Sequence, residues 1–296
     1  MKIKVVNSFK RETIIKKETF FSGIGLHTAK KCSIIISDNP EKSGIIFICR
    51  GTKKKLVPSI IYTGDRTTSI IHNKKIFIIC IEHLMSAIHG LGILNVIVEL
   101  REGREIPILQ GDSYSFIEKL LPNLKRVSTK YKSISIVKTI IIRDDKDKTR
   151  FIKLSPFRKS YLKIKSYIKY NNSYTKKQGF TFNFKNSQSY IDEISHARTS
   201  FPFKINDSEK FLELKKRLKG VIICGKQKNV NTYSDKGKPE TYYKNEIARH
   251  KILDFLGDVK TAGLVLDKTK IELNKVGHSL NIKLASILKY EYENIK

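Results

Sequence analysis

Short runs of isoleucine, phenylalanine, serine and threonine recur through the first sixty residues: Thr19-Phe20-Phe21, Ser33-Ile34-Ile35-Ile36 and Ile45-Ile46-Phe47-Ile48. Asp38-Asn39-Pro40 is a turn between the last two. β-branched and aromatic side chains suit a pleated, half-buried surface, so these runs predict strands. Thr68–Ile71 and Ile76–Ile79 predict two more, joined by the turn-forming His72-Asn73-Lys74-Lys75. The period then changes. From Ile81 to Gly90 the apolar Leu84, Ala87 and Ile88 fall on one helical face, and the glycine closes the run. A strand over Asn95–Leu100, a loop through Pro107 and a second helical run over Phe116–Leu121 follow.

After Pro122 the chain is lysine-rich and turn-like, and alternation resumes at Ser133-Ile134-Ser135-Ile136-Val137. A boundary near 122–131 is therefore expected, dividing the chain into domains 1–125 and 126–296. The second part repeats the order of the first, with strands near 133–142, 150–154 and 161–169 and helices afterwards. Each part also places a histidine seven residues before a glycine that ends a helical run, His83 to Gly90 and His250 to Gly257. This weak echo points to duplication: two related α+β domains, each a two-layer sandwich, facing each other across a cleft.

The net charge of +30, from 58 Lys+Arg against 28 Asp+Glu, raises polyanions as partners. The lysines, however, are spread through nearly every segment, and no RNP, helix-turn-helix or zinc-finger pattern accompanies them, so no nucleic-acid partner is expected. The rival reading is a basic nucleic-acid-binding protein with an incidental metal site. Cys32, Cys49, Cys80 and Cys224 lie far apart in apolar runs without a CxxC pair, which predicts buried free thiols in a reducing compartment. Charged residues begin at Lys2 and no apolar stretch reaches spanning length. A soluble, cytoplasmic protein with at most peripheral membrane contact is expected.

The chemistry gathers in Asn245–Asp258. On a helix, His250, Asp254 and Asp258 share one face. A solvated helix face can carry the same residues, and two ligands do not complete a zinc site. Across the cleft His83 supplies a third, giving two histidines and a carboxylate with the fourth position open to water. Glu82, adjacent to that ligand, is the candidate general base; its other reading is an ordinary acid in a helical first turn. His278 follows Gly277 where Leu280, Leu284, Ile287 and Leu288 announce a final helix. Beside Asp258 it could stay protonated and serve as general acid, although a capping or surface histidine is the alternative. His27 follows Gly23-Ile24-Gly25, which lacks the third glycine and following helix of a dinucleotide loop; alone it reads as a structural or exposed residue.

Six motifs in order carry a family resemblance over nearly the whole length: Ser22-Gly23-Ile24-Gly25-Leu26-His27-Thr28; Ile81-Glu82-His83-Leu84-Met85 with Gly90-Leu91-Gly92-Ile93; Glu105-Ile106-Pro107-Ile108 with Gly111; Ala197-Arg198-Thr199; Arg249-His250-Lys251-Ile252-Leu253-Asp254 with Gly257-Asp258; and Gly277-His278-Ser279-Leu280-Asn281. The chain resembles the UDP-3-O-acyl-N-acetylglucosamine deacetylases, zinc amidases of lipid A biosynthesis. The resemblance implies two α+β sandwich domains with the site between them. It implies Zn2+ on His83, His250 and Asp254, Glu82 as general base, and His278 as general acid with Asp258 as its electrostatic partner. Thr199 would help hold the oxyanion. Lys251 and Lys275 would face the diphosphate of an acylated UDP-sugar, with His27 near the same substrate. An insert near 200–225, including Phe201 and Phe203, would take the acyl chain, and the protein would act as a monomer. Gln110, Ala29 and Ser200 depart from the usual Asp, Gly and Phe, leaving room for a zinc amidase of another acylated sugar.

Overall fold

The computed structural model describes residues 2–64, 66–169, 177–202, 221–224, 230–232 and 241–295. Two five-stranded sheets dominate it. In the first, the spatial order is Thr19–Ile24, Lys31–Asp38, Val96–Glu102, Ile45–Cys49, Thr52–Lys55; in the second it is Ile140–Arg143, Phe151–Pro156, Thr269–Asn274, Leu162–Ile168, Gln178–Phe184. Numbered within each sheet, the two orders and all four pairing senses coincide. The strand latest in the chain lies at the centre, antiparallel to one neighbour and parallel to the other. The duplication expected from the His-to-Gly echo is thus written into the topology.

Parallel neighbours require a crossover, and a helix supplies it in both halves. Helix Glu82–Gly90 leads into the central strand Val96–Glu102, and helix Glu246–Lys260 leads into Thr269–Asn274. Another helix follows each central strand, Tyr114–Leu120 in the first half and His278–Glu293 in the second. One apolar core, with Phe21, Phe47, Phe116, Phe182 and Phe255 fully buried, runs through both halves.

The two crossover helices pack directly on each other. Their close approach depends on Gly257, where a Cβ would collide with the carbonyl oxygen of Glu82. Gly90 has a similar duty, since a Cβ there would enter the Tyr190 ring. The sequence pattern predicts one buried face for Glu82–Gly90, yet every residue of that helix is buried. The polar residues are covered as well, Glu82 by Thr67 and Thr68 of its own half, and His83, Ser86 and His89 by Asp254, Tyr190 and Leu256 of the second half.

Residues 124–131 correct the expected turn-like junction. They belong to a thirteen-residue strand, Leu124–Ile136, paired antiparallel with Ile3–Ile15 from Ile3↔Ile136 to Ile15↔Leu124. Backbone pairing holds this ribbon, while Lys125, Arg126, Ser128 and Thr129 are exposed, so no apolar alternation marked it as a strand. Strand Gln178–Phe184 was not anticipated either, although Phe182 and Phe184 alternate into the core.

Candidate active site

At the crossing of the helices, His83 from one half meets His250 and Asp254 from the other. His250 Nε2 lies 3.2 Å and His83 Nε2 3.7 Å from Asp254 Oδ1, and the imidazoles stand edge to face at 5.0 Å between centroids. One ligand atom from each of the three residues falls within 4.8 Å of the others, and all three side chains are buried. His250 Nδ1 donates to the Ala197 carbonyl at 2.9 Å. When the ring binds a metal in its neutral form, that bond places the proton on Nδ1 and the Nε2 lone pair toward a carboxylate oxygen; without a metal, a proton on Nε2 serves Asp254 instead. Two acceptors so placed repel unless a cation lies between them. Asp254 Oδ1 and His83 Nδ1 have no hydrogen-bond partner among the described residues, which is costly for buried polar atoms.

The electrostatics agree. Burial, with His250 beside it, depresses the His83 pKa to about 3, leaving a neutral imidazole as metal ligation requires. Burial opposes charge on Asp254, but His250 and Lys251 overcome it and hold the carboxyl well below its usual range. Lys251 Nζ donates to Asp254 Oδ2 at 2.7 Å, leaving Oδ1 for the imidazoles. The donor set fits a divalent cation of borderline softness, zinc among them.

His27, Cys80 and Glu105 also come within mutual ligand distance. They fit a metal poorly, because Glu105 already accepts from His27 N, Thr28 N and Thr28 Oγ1 at 2.7, 2.8 and 2.6 Å. Burial, reinforced by Glu82 and Glu105, holds the Cys80 thiol protonated.

Glu82 is also buried; it accepts from Thr67 Oγ1 at 3.1 Å and from Thr68 N at 3.1 Å. Burial raises its pKa to about 7, with His278 pulling the other way. His278 Nδ1 donates to Asp258 Oδ2 at 2.9 Å. Burial works against charge on this imidazole, but the Asp258 carboxylate and its hydrogen bond reverse the balance and raise the pKa to about 9. One carboxyl poised near neutrality and one imidazolium stable above it line the same cavity as the His-His-Asp cluster.

That cavity measures about 670 Å³ and is also lined by Leu26, Thr199, Lys251 and Lys275. Thr199 is held from behind, its N–H donating to Gly111 O at 2.7 Å and its carbonyl accepting from Ile222 N at 2.9 Å. Gly111, at φ 79°, takes a left-handed conformation that brings it against Thr199.

The sequence profile of the UDP-3-O-acyl N-acetylglycosamine deacetylase family matches residues 12–289. The chain belongs to this family. It is 31% identical over 293 residues to the UDP-3-O-acyl-N-acetylglucosamine deacetylase of Campylobacter hominis, covering 96% of this chain and 93% of that protein. Similarity to the enzymes of the same name from Haemophilus ducreyi (30%, 93% and 88% covered) and Aquifex aeolicus (31%, 94% and 92% covered) is comparable.

As a deacetylase-family member the chain brings Glu82, His83, Thr199, His250, Lys251, Asp254, Lys275 and His278 to one cavity. Asp258 stands behind His278 with no exposed surface. His27 is exposed and its neighbour Leu26, not His27, lines the wall. Phe201 belongs to the short strand Ser200–Pro202, which pairs with Ile222–Cys224, and its side chain lies outside the description. Phe203 and most of the expected insert lie outside the described residues. Ala29 sits at φ 53°, a left-handed conformation that a glycine would take without Cβ strain.

Thr67, Thr68 and Asn281 escaped the sequence reading. Thr68 Oγ1 donates to Asp258 Oδ1 at 2.7 Å, and Asn281 Nδ2 donates to Oδ2 at 2.9 Å. Asn281 carried a signal, standing three residues after His278 on the same helical face. Thr67 and Thr68 offered only a polar pair inside a β-run.

Proposed function

We propose that this chain removes the N-acetyl group of UDP-3-O-acyl-N-acetylglucosamine by hydrolysis, releasing acetate, as an early committed step of lipid A biosynthesis. The observation that carries the reading is the convergence of His83, His250, Asp254, Glu82 and His278 on one cavity in a chain of this family. His83, His250 and Asp254 would hold Zn2+, which supplies Lewis acidity and an acidified water when bound.

The remaining chemistry belongs to protein groups. Glu82 takes a proton from the attacking water through a carboxylate oxygen. His278, held protonated by Asp258, delivers a proton to the departing amine, without which an amide nitrogen leaves poorly. Thr199 offers its hydroxyl to the developing oxyanion. Lys251 and Lys275 present ammonium groups suited to the diphosphate, with His27 near the cavity rim. Phe201 and Phe203 are proposed for the acyl chain. The domain limits 1–125 and 126–296, action as a monomer, cytoplasmic location and at most peripheral membrane contact belong to the same proposal; no helix among the described residues is long and apolar enough to cross a membrane.

The test is a deacetylase assay on purified protein with UDP-sugars of graded acyl length, alongside metal analysis. One equivalent of zinc and acetate release that collapses in Glu82→Ala are expected. Turnover unchanged by that substitution, or the absence of stoichiometric zinc, would reject the mechanism.

A further inference from the structure

Lys260 closes the helix that carries His250, Asp254 and Asp258, six residues beyond Asp254 and so roughly 9 Å further along the axis. Its side chain is 2% exposed. No hydrogen bond or ion pair among the described residues reaches its ammonium. Burial lowers its pKa to about 8, with Glu12 opposing. Glu12 is itself engaged, its Oε1 accepting from Asn95 Nδ2 at 2.5 Å. The helix C-terminal dipole favours a cation here but provides no full negative charge.

Lys260 lies between two cavities that share no lining residue with the active site, one of about 370 Å³ lined by Thr13, His89 and Arg126 and one of about 320 Å³, which is the lysine-rich one. That cavity is also lined by Lys42, Lys55, Lys132, Lys289 and Asn95, and no carboxylate is among the residues that line it. Lys42 and Lys55 come from the first half, Lys132 from the long ribbon and Lys289 from the final helix. Five lysines from four parts of the fold thus line one concavity; Lys289 Nζ is paired with Glu293 Oε1 at 3.4 Å, while Lys260, the most buried, has no hydrogen bond or ion pair among the described residues. Dispersed surface lysines repel one another and stay in water; a buried ammonium with only the Glu12 carboxylate opposing its desolvation, in a lining without acids, favours a bound anion.

We infer that this cavity is a second anion site, which binds a small, multiply charged phosphate compound through Lys260 at its base and Lys42, Lys55 and Lys132 around it. The volume lies at the small end of ligand sites, which favours a phosphate monoester or diphosphate over a polymer. The inference is independent of the proposed deacetylation, because none of these lysines lines the active-site cavity.

Calorimetric titration of the full chain with inorganic pyrophosphate at constant ionic strength tests it. Two saturable sites are expected, one at each cavity. In Lys275→Ala the active-site event should weaken while the second persists. In Lys260→Met, which keeps the buried stem, and in Lys132→Gln, at the exposed rim, the second should weaken at least tenfold with deacetylase activity retained. A single site abolished by Lys275→Ala, or a second site untouched by both Lys260→Met and Lys132→Gln, overturns the inference.

Discussion

His278 Nδ1 and Asp258 Oδ2 are 2.9 Å apart, and the carboxylate behind that bond has no exposed surface. Thr68 donates to Oδ1 and Asn281 shares Oδ2, so Asp258 is held in one orientation and its charge is directed at the imidazole. A buried charge fixed this firmly is an instrument for setting a neighbour's protonation. Asp258→Asn should therefore let the His278 pKa fall from about 9 toward the ordinary 6.5, because burial is then opposed only by the more distant Asp254 and Glu82. An NMR titration of the His278 ring measures this. A pKa that stays near 9 in the variant would show that Asp258 does not set the charge.

The same two groups determine the pH profile. Glu82 must be deprotonated to accept a proton and His278 protonated to give one. With folded-state pKa values of about 7 and about 9, kcat/KM should rise through an acidic limb, hold a plateau and fall through a basic limb near 9. A bound dication stabilises the Glu82 carboxylate and disfavours the His278 imidazolium, so it moves the acidic limb below 7 and the basic limb below 9. In His278→Gln the basic limb should vanish, and its persistence would assign that limb to another group.

Metal retention separates the roles of neighbouring residues. Asp254→Ala removes the oxygen faced by both imidazoles, so bound zinc should drop below stoichiometric levels. His278→Ala leaves the three ligands in place and should keep the metal while kcat falls by roughly 10²- to 10⁴-fold, the usual worth of a proton donor. Metal analysis beside steady-state rates distinguishes them, and equal metal loss in both variants would place His278 among the ligands.

The helix that carries His250, Asp254 and Asp258 was legible because its spacing is local. His250, Asp254 and Asp258 repeat every four residues, and His83 sits at the matching place in the duplicated unit. The cradle of Glu82 and Asp258 was not legible. Thr68 lies 190 residues from Asp258, and only the packing of one half against the other joins them. The ribbon of Ile3–Ile15 with Leu124–Ile136 was hidden for a different reason: its outer face is lysine, threonine and serine, so backbone pairing left little apolar period to read. Lys260 looked like one lysine among many, and only its burial sets it apart.

The site also depends on how closely the two crossover helices approach. Gly257 lies three residues after Asp254 and one before Asp258, with its Cα against the Glu82 carbonyl. Neither helix can yield locally, since both are buried along most of their length and carry site residues at the crossing. A methyl group there must push the halves apart. Gly257→Ala should improve intrinsic helix propensity by up to about 1 kcal/mol. Overpacking against backbone should cost more, on the order of 3 kcal/mol. The net effect is a lower Tm, and the widened gap between His83 and Asp254 should weaken zinc binding as well. Chemical denaturation with parallel zinc titration measures both quantities. A variant as stable and as tight for zinc as the parent would mean that the crossing has slack, and that Gly257 does not set the separation of the ligands.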